Sequence, residues 1–214
     1  VNLGSHRAIV IDTGPDPALI DRCLKQLGIR EVPLLILTHG HADHIAGLAG
    51  AIANRKVGIQ WFGNVKRGTT ANFGAMKIEV LWPDTGSYDE NNSSIAVRID
   101  TPDFSLFAGG DMEPLTQAML APELTGVDIY KVCHHGSAYQ DEGFTRALDP
   151  QLALISVGAE NSYGHPAANT LALLRQVGAK VLRTDTDGAI AVRARRHRLQ
   201  VKTSKNRFTY LRWE

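Results

Sequence analysis

An apolar run, Pro33-Leu34-Leu35-Ile36-Leu37, leads directly into Thr38-His39-Gly40-His41-Ala42-Asp43-His44. No other stretch of the chain restricts its fold so strongly. The run is uncharged and leucine-rich, so it reads as a strand buried on both faces. Three imidazoles and one carboxylate then fall on the loop at its C-terminal end. α/β sheets place ligands at that edge, where strands deliver loop residues with little freedom to wander. His39 and His41, two residues apart, can point to one side of an extended turn. Asp43 and His44 can face a second point nearby. Four donors divided between two points suggest two metal ions rather than one closed tetrahedral site.

The remaining pattern places this loop in an α/β domain. A strand over 8–12 ends in the turn Asp12-Thr13-Gly14-Pro15. Asp16-Pro17 then has the form of a helix N-cap followed by proline at the first helical position. Leu19, Ile20, Cys23, Leu24 and Leu27 recur at helical spacing, which puts Cys23 in the core, and Gly28 closes the helix. One helix is expected over about 43–54, then strands over 57–61 and 76–82, with a polar turn or hairpin over 63–74 between them. Strands near 95–99 and 104–108 follow. After Asp111 the order is helix 113–120, strand 127–132, helix 141–148, strand 152–157, helix 167–177 and strand 180–183. A closing hairpin, 189–194 with 199–203, turns at Arg196-His197. Without an internal repeat or a dividing linker, strands mixed with helices in both halves predict one domain with sheets inside and helices outside.

Composition excludes several classes. With 214 residues, 43% hydrophobic and 21% charged, the chain can build one sizeable core or two small ones. No apolar stretch approaches the ~20 residues of a membrane helix. Two cysteines, Cys23 and Cys133, do not make a disulfide framework; Cys133 beside two histidines is expected to be a small buried thiol. Net charge is only +1, yet eight Lys or Arg fall between Arg193 and the end, against Glu214 alone. Such a block can attract a polyanion, and Arg195 and Arg196 are candidate substrate contacts. Taken alone, the block better suits a solvated hairpin edge protected by charge.

Further ligand-type residues each follow an expected strand. Asp12 ends the first, Asp111 follows Gly109-Gly110, His134-His135-Gly136-Ser137 follows Lys131-Val132-Cys133, and His165 lies in the loop Tyr163-Gly164-His165-Pro166. Each alone is weak evidence, because an aspartate after glycines is usually a turn residue. Together with the first cluster they make Asp111 and His165 candidate metal ligands beside His39, His41, Asp43 and His44. His6 and His197 lack such a setting and read as surface residues.

With these residues in place, the chain resembles the metallo-β-lactamase superfamily, whose motif is HxHxDH. The resemblance implies a four-layer αββα sandwich with two metals in a cleft between the sheets. It implies that Asp111 bridges the metals, that Asp43, His44 and His165 serve one and His39 and His41 the other, and that Asp12 orients a ligand imidazole. The later motifs, among them Asn91-Asn92-Ser93-Ser94, Gly110-Asp111-Met112-Glu113 and Lys131-Val132-Cys133-His134-His135-Gly136-Ser137, are similar to the C-terminal domain of the ComEC family of natural transformation. That resemblance implies a domain on the outer face of the cell membrane, attached to an oligonucleotide-binding domain and membrane helices that form a DNA-uptake channel. It also implies a first strand preceding Val1, so the chain is expected to be a monomeric piece of a longer protein. One departure from the wider superfamily stands out: no histidine occurs between His44 and Asp111, where many members supply a third histidine to the first metal. His134 or His135 is the candidate to fill the gap, and weaker, oxygen-richer coordination favours manganese over zinc.

Two metals can lower the pKa of a water between them to near ~7 and stabilise a phosphorane-like state. The expected activity is therefore a metal-dependent DNase that degrades the non-transported strand, with the residues in named roles. Asp43 belongs to the reacting centre. His134 or His135 protonates the leaving oxygen, Lys131 holds a phosphate, and Ser137, Asn92 and Ser93 contact substrate. Two other readings fit the same residues: a lactonase, thioesterase or other small-molecule hydrolase, and a DNA-binding module whose incomplete metal site does not cut.

Overall fold

The run before the histidine loop is covered on both faces, as its composition requires. The computed structural model describes residues 1–205 apart from Asn64, Ser87 and His197, together with the backbone of residues 209–210. In it, strand β4 (Glu31–Ile36) carries Leu34 and Ile36 on one face, while Leu35 and, just past the strand, Leu37 face the other. β4 lies between β2 (Arg7–Ala8) and β3 (Val10–Ile11) on one side and β5 (Lys56–Trp61) on the other, parallel to all three. β1 (Asn2–Gly4) adds an antiparallel edge to this first sheet.

The second sheet has seven strands: β6 (Thr70–Phe73), β7 (Met76–Trp82), β8 (Ala96–Asp100), β9 (Ser105–Ala108), β10 (Ile129–Lys131), β11 (Leu152–Ile155) and β12 (Lys180–Arg183). They lie side by side in chain order, antiparallel from β6 to β9 and parallel from β9 to β12. The parallel half matters for the site. It turns the C-terminal ends of β9, β10 and β11 toward one edge, where Asp111, His134-His135 and the loop carrying His165 emerge.

Four layers result. α1 (Pro17–Gln26), α2 (Ala42–Ile45) and α3 (Leu48–Ile52) cover the outer face of the first sheet, with Leu24, Ala51, Val32 and Leu35 in one cluster. Its inner face packs Ile9, Leu34 and Ile36 against Ile78, Val80, Val97 and Ile99 of the second sheet. α4 (Pro114–Leu120), α5 (Glu142–Leu148) and α6 (Ala168–Gln176) close the far side, over a cluster built on Phe107, Tyr130 and Phe144. The short helix α7 (Thr184–Asp187) leads from β12 into the hairpin β13 (Ile190–Arg195) and β14 (Arg198–Thr203), to which β15 (Thr209–Tyr210) pairs. Leu199 and Val201 of that hairpin pack on Ile129, Leu152 and Leu182, completing the inner face of the second sheet. This is the helix–sheet–sheet–helix sandwich that the sequence predicts.

Three differences have physical causes. The single helix expected over 43–54 is two short helices broken at Ala46–Gly47. Thr13 N and Thr13 Oγ both donate to His44 O, at 2.7 and 3.0 Å, and Gly47 N donates to Gly14 O at 2.7 Å. The segment that ends β3 thus takes hydrogen bonds a continuous helix would keep. In α3, Gly50 allows α1 to approach closely, since a Cβ there would lie 1.8 Å from Pro17 O. Cys23 is exposed rather than buried, because α1 turns Ile20 and Leu24 to the sheet and leaves Leu19 and Leu27 outside. Along β7 the alternation breaks at a bulge between Val80 and Trp82, which sends Trp82 to the helical side of the sheet. Cys133 is fully buried as expected, and His6 is exposed, whereas His197 lies outside the described residues.

Phe107 stacks edge-on against Phe144 at 5.4 Å in the largest cluster. Replacing Phe107 by alanine is predicted to cost about 3–5 kcal/mol in urea unfolding; a change below 1 kcal/mol would show that this cluster is not the core. Cys23 is predicted to react with a thiol reagent in the native protein and Cys133 only after denaturation. Mass spectrometry of the labelled protein decides.

Candidate metal centre

The histidine loop is held in place by one carboxylate. Asp12 ends β3 in a left-handed conformation (φ 56°), which turns its side chain across the end of β4. Asp12 Oδ1 accepts from Thr38 N at 2.8 Å and from Thr38 Oγ at 3.0 Å, and Asp12 Oδ2 accepts from His44 Nδ1 at 2.8 Å. That last bond leaves His44 Nε2 facing the other donors.

Asp111 reaches the same point from the second sheet. Gly110 before it has φ 58°, and a Cβ there would lie 2.7 Å from Ser94 Oγ and 2.8 Å from Thr38 Cβ. Only glycine lets the end of β9 come this close to the end of β4. Asp111 N donates to Ser94 Oγ at 3.0 Å, and the same hydroxyl lies 3.3 Å from His39 Nδ1. Ser94 thus links the backbone of Asp111 to a histidine of the first loop.

The third contribution is strained. His134 and His135 both have left-handed backbone (φ 48° and 51°), unusual for two consecutive non-glycine residues. The turn swings His135 into the cluster, and its Nδ1 is fixed by a hydrogen bond to Ser156 O at 2.7 Å.

The donor atoms form two overlapping groups that share His44, with Asp111 in the first and His41 in neither. His39 Nε2 lies 3.1 Å from His41 Nδ1 and 3.8 Å from Asp111 Oδ2. His44 Nε2 lies 3.1 Å from His135 Nε2, 3.2 Å from Asp111 Oδ1 and 3.8 Å from Asp43 Oδ2, and His135 Nε2 lies 3.1 Å from Asp43 Oδ2. Two sets, His39–His44–Asp111 and Asp43–His44–His135, each have ligand atoms within 4.8 Å of one another. Two nitrogens, each about 2.0–2.1 Å from one ion, stand roughly 3.0–3.4 Å apart in square or tetrahedral arrangements, and the nitrogen pairs match that spacing. Asp111 Oδ1 is buried without a well-aligned hydrogen bond, although His44 Nε2 is close. A buried acceptor left unmet among converging lone pairs suits a cation. The residues fit a pair of divalent ions.

The electrostatics differ from ring to ring. Burial pushes the His39 pKa down to about 4, with the neighbouring His44 adding to the effect, so its ring is neutral as a ligand must be. Burial also lowers that of His135, with Lys131 next in importance. At His44 burial opposes the charge, but Asp111 and Asp12 together outweigh it and push the pKa up to about 9. Burial likewise opposes the charge of Asp111, yet His44, then His135 and His134, hold it well below the ordinary carboxylate value.

Several expected site residues stand elsewhere. His165 is outside both donor sets among the described residues; its ring lies 5.5 Å from that of His134 and stacks on Tyr163. His135 stands with Asp43 and His44, where His165 was expected, and not beside His39 and His41, the gap that His134 or His135 was expected to fill. His134 faces Glu113, with Nδ1 3.2 Å from Oε1, and its Nε2 is 3.8 Å from Asp111 Oδ2. Lys131, half-buried at the end of β10, is near enough to depress His135.

Asn92 is not a substrate contact. It is buried, with Oδ1 accepting from Thr116 Oγ and Glu113 N while Nδ2 donates to Asp89. Ser137 is fully buried, its hydroxyl engaged with Tyr139. Ser93 does line the cleft beside His39, and its hydroxyl donates to Tyr88 O at 3.2 Å. Arg195 and Arg196 lie at the tip of the β13–β14 hairpin. Arg196 N donates to Asp103, which precedes β9, so the tip is at the edge of the second sheet opposite Asp111. Ser94, Thr38 and Glu113 are the residues that sequence reasoning missed as site groups. Ser94 and Glu113 did fall in motifs, Asn91-Asn92-Ser93-Ser94 and Gly110-Asp111-Met112-Glu113, that the resemblance singled out.

A helix–sheet–sheet–helix sandwich with split histidine and aspartate donors at its edge defines a class of metal-dependent proteins. The chain belongs to the metallo-β-lactamase superfamily, whose family model matches residues 1–109. Over 195 residues it is 30% identical to ComE operon protein 3 of Bacillus subtilis (strain 168), covering 78% of this chain and 25% of that one. Over 201 residues it is 28% identical to Competence protein ComA of Neisseria gonorrhoeae, covering 87% of this chain and 29% of that one. The chain therefore spans little more than a quarter of the length of these relatives. Among solved structures it is similar to CmlA, a diiron β-hydroxylase from Streptomyces venezuelae (TM-score 0.52, 16% identity, 72% of this chain and 44% of that chain), a likeness of fold alone. The superfamily fold and the donor sets together imply divalent metal ions.

Because Asp12 orients His44, Asp12→Ala is predicted to weaken metal binding about 10–100-fold. Competition against a chromogenic chelator measures it; unchanged affinity would remove Asp12 from the site.

Proposed function

We propose that this domain is a metal-dependent DNase that hydrolyses phosphodiesters and degrades the non-transported strand during DNA uptake. The observation that carries the reading is the pair of donor sets that share His44, with Asp111 beside both and His39 on the wall of a cleft. Two divalent ions bound there would supply an activated water and neutralise charge on a phosphoryl group in flight. The chain offers no competing nucleophile beside them among the described residues. Burial pushes the Cys133 thiol up to about 12, and Ser94 is buried with its oxygen shared between Asp111 N and His39.

The chain's own groups have defined tasks in this reading. Asp43, His44, His135 and Asp111 would hold one ion, and His39, His41 and Asp111 the other. His134, steadied by Glu113, protonates the leaving oxygen, and Lys131 receives a phosphate oxygen. His135, the other sequence candidate for the acid, serves as a ligand instead. The His39–His41 set has only two imidazoles, which favours manganese there, with zinc as the alternative. The names of the two relatives, which speak of competence and of the ComE operon, support DNA uptake as the setting. In that setting the domain is a monomeric module on the outer face of the membrane, attached to a channel, and its ligand is single-stranded DNA. No described helix is long and apolar enough to cross a membrane.

The test uses a labelled oligonucleotide on a gel, with manganese, with zinc and with a chelator. Cleavage is expected with manganese and lost on chelation. Asp43→Ala combined with Asp111→Ala is expected to reduce cleavage at least a hundredfold while circular dichroism stays native. Undiminished cleavage by that variant would overturn the assignment. Binding without any product in excess manganese would favour a non-cutting DNA-binding module, and turnover of a lactone or thioester instead would favour a small-molecule hydrolase.

A further inference from the structure

Beside the metal donors lies a groove of about 880 Å³ that includes Thr38 and His39 in its lining. One wall is the segment after β5, with Phe62, Val65 and Lys66. Its position is set by strand register: Ile36 of β4 lies opposite Trp61 of β5, and Leu37 N donates to Trp61 O at 2.9 Å. Phe62 therefore emerges level with the first residues of the histidine loop. The other wall is the β7–β8 loop, with Tyr88 and Ser93. That loop is tied down. Trp82 Nε1 donates to Asn92 O at 2.7 Å, the Tyr88 ring packs 5.0 Å from that of Trp82, and Glu90 accepts from Gly40 N of the histidine loop.

The lining decides what fits. Phe62 is 51% exposed and joins none of the core clusters among the described residues. Lys66 is exposed and makes no ion pair among the described residues, whereas its neighbour Arg67 pairs with Glu123. Two carboxylates also line the groove, and both already accept hydrogen bonds: Asp84 from Tyr88 Oη and Gly86 N, Glu90 from Gly40 N. Two cations against two carboxylates do not make an anion trap. They suit a flat, uncharged ring with a single phosphate at the Lys66 rim.

We propose that this groove is a nucleobase subsite. It holds the base next to the scissile phosphate of single-stranded DNA, stacked on Phe62, with the flanking phosphate at Lys66. The inference rests on the phosphodiesterase reading above and names how its substrate is held. Stacking on an aromatic ring accepts any base, and it requires a base whose face is free. A duplex keeps that face covered, so the groove selects single strands.

The experiment compares the manganese-loaded domain on a single-stranded oligonucleotide, the same sequence as duplex, and methyl 4-nitrophenyl phosphate, a diester with no base. Stacking of this kind is worth about 5- to 150-fold per base. Phe62→Ala is expected to lower the ratio of kcat/KM for the single strand to that for the small diester at least about fivefold, mainly through KM, and to erase the preference for single strand over duplex. Phe62→Trp is expected to keep both. Lys66→Gln is expected to reduce the slope of log KM against log salt by about 0.7, the value of one single-strand phosphate contact. If the wild type cleaves both substrates and Phe62→Ala leaves the ratio unchanged, or if wild type cuts duplex as fast as single strand, the subsite is overturned and the phosphodiesterase reading survives. A wild type that hydrolyses none of the three overturns the phosphodiesterase reading itself, and the subsite with it.

Discussion

A carboxylate buried to 2% exposure, Asp111, lies ionised between two sheets with His39, His44, His134 and His135 around it. Removing such a charge from water costs several kcal/mol unless positive charge compensates. The surrounding imidazoles supply part of that compensation, and a divalent cation would supply the rest. The strand ends are arranged to allow this meeting. Gly110 lets β9 approach β4, Ser94 caps Asp111 N, and Asp12 faces His44 from behind. The two sheets are thus joined twice, by apolar packing in the middle and by this polar knot at one edge.

Part of the backbone strain falls at the same edge. Asp12, His134 and His135 all take left-handed conformations that side-chain-bearing residues rarely adopt. Each places a site group where a relaxed backbone would not. Asp12 turns across the end of β4, and the paired histidines split, with His135 entering the donor set and His134 facing Glu113. Such strain persists only where surrounding packing over-determines it. Here the buried strands β10 and β11 and the hydrogen bond from His135 to Ser156 O do so.

The distribution of charge separates two surfaces. The cluster edge carries the metal donors and the groove of mixed polarity. The arginine-bearing hairpin runs from that edge to the opposite one, its apolar side packed on the second sheet and Arg193, Arg195 and Arg198 exposed on the other. A polyanion drawn to the hairpin would meet a surface distinct from the cleft, so attraction and chemistry need not share residues.

How much of this was legible followed from distance along the chain. His39, His41, Asp43 and His44 sit within six residues behind a doubly buried strand, and local spacing was enough to suggest a split donor set. Asp111 became a candidate only beside that cluster, and the alternation of strands with helices gave sheets inside and helices outside. What local pattern could not decide was which distant residue completes the set. His135 enters rather than His165 because of a left-handed turn that no histidine pair announces. Asn92 and Ser137 look like substrate contacts in one dimension but are spent on internal hydrogen bonds. The expected helix over 43–54 divides because the N–H and hydroxyl of Thr13 and the carbonyl of Gly14, remote in sequence, capture its backbone. Sequence alone determined the residue types, the strand that delivers them and the layered class, since these depend on periods of two and 3.6 residues. Tertiary structure decided the identity of the convergent ligands and the place of the basic hairpin, because both depend on backbone torsions and sheet edges set by contacts among residues tens of positions apart.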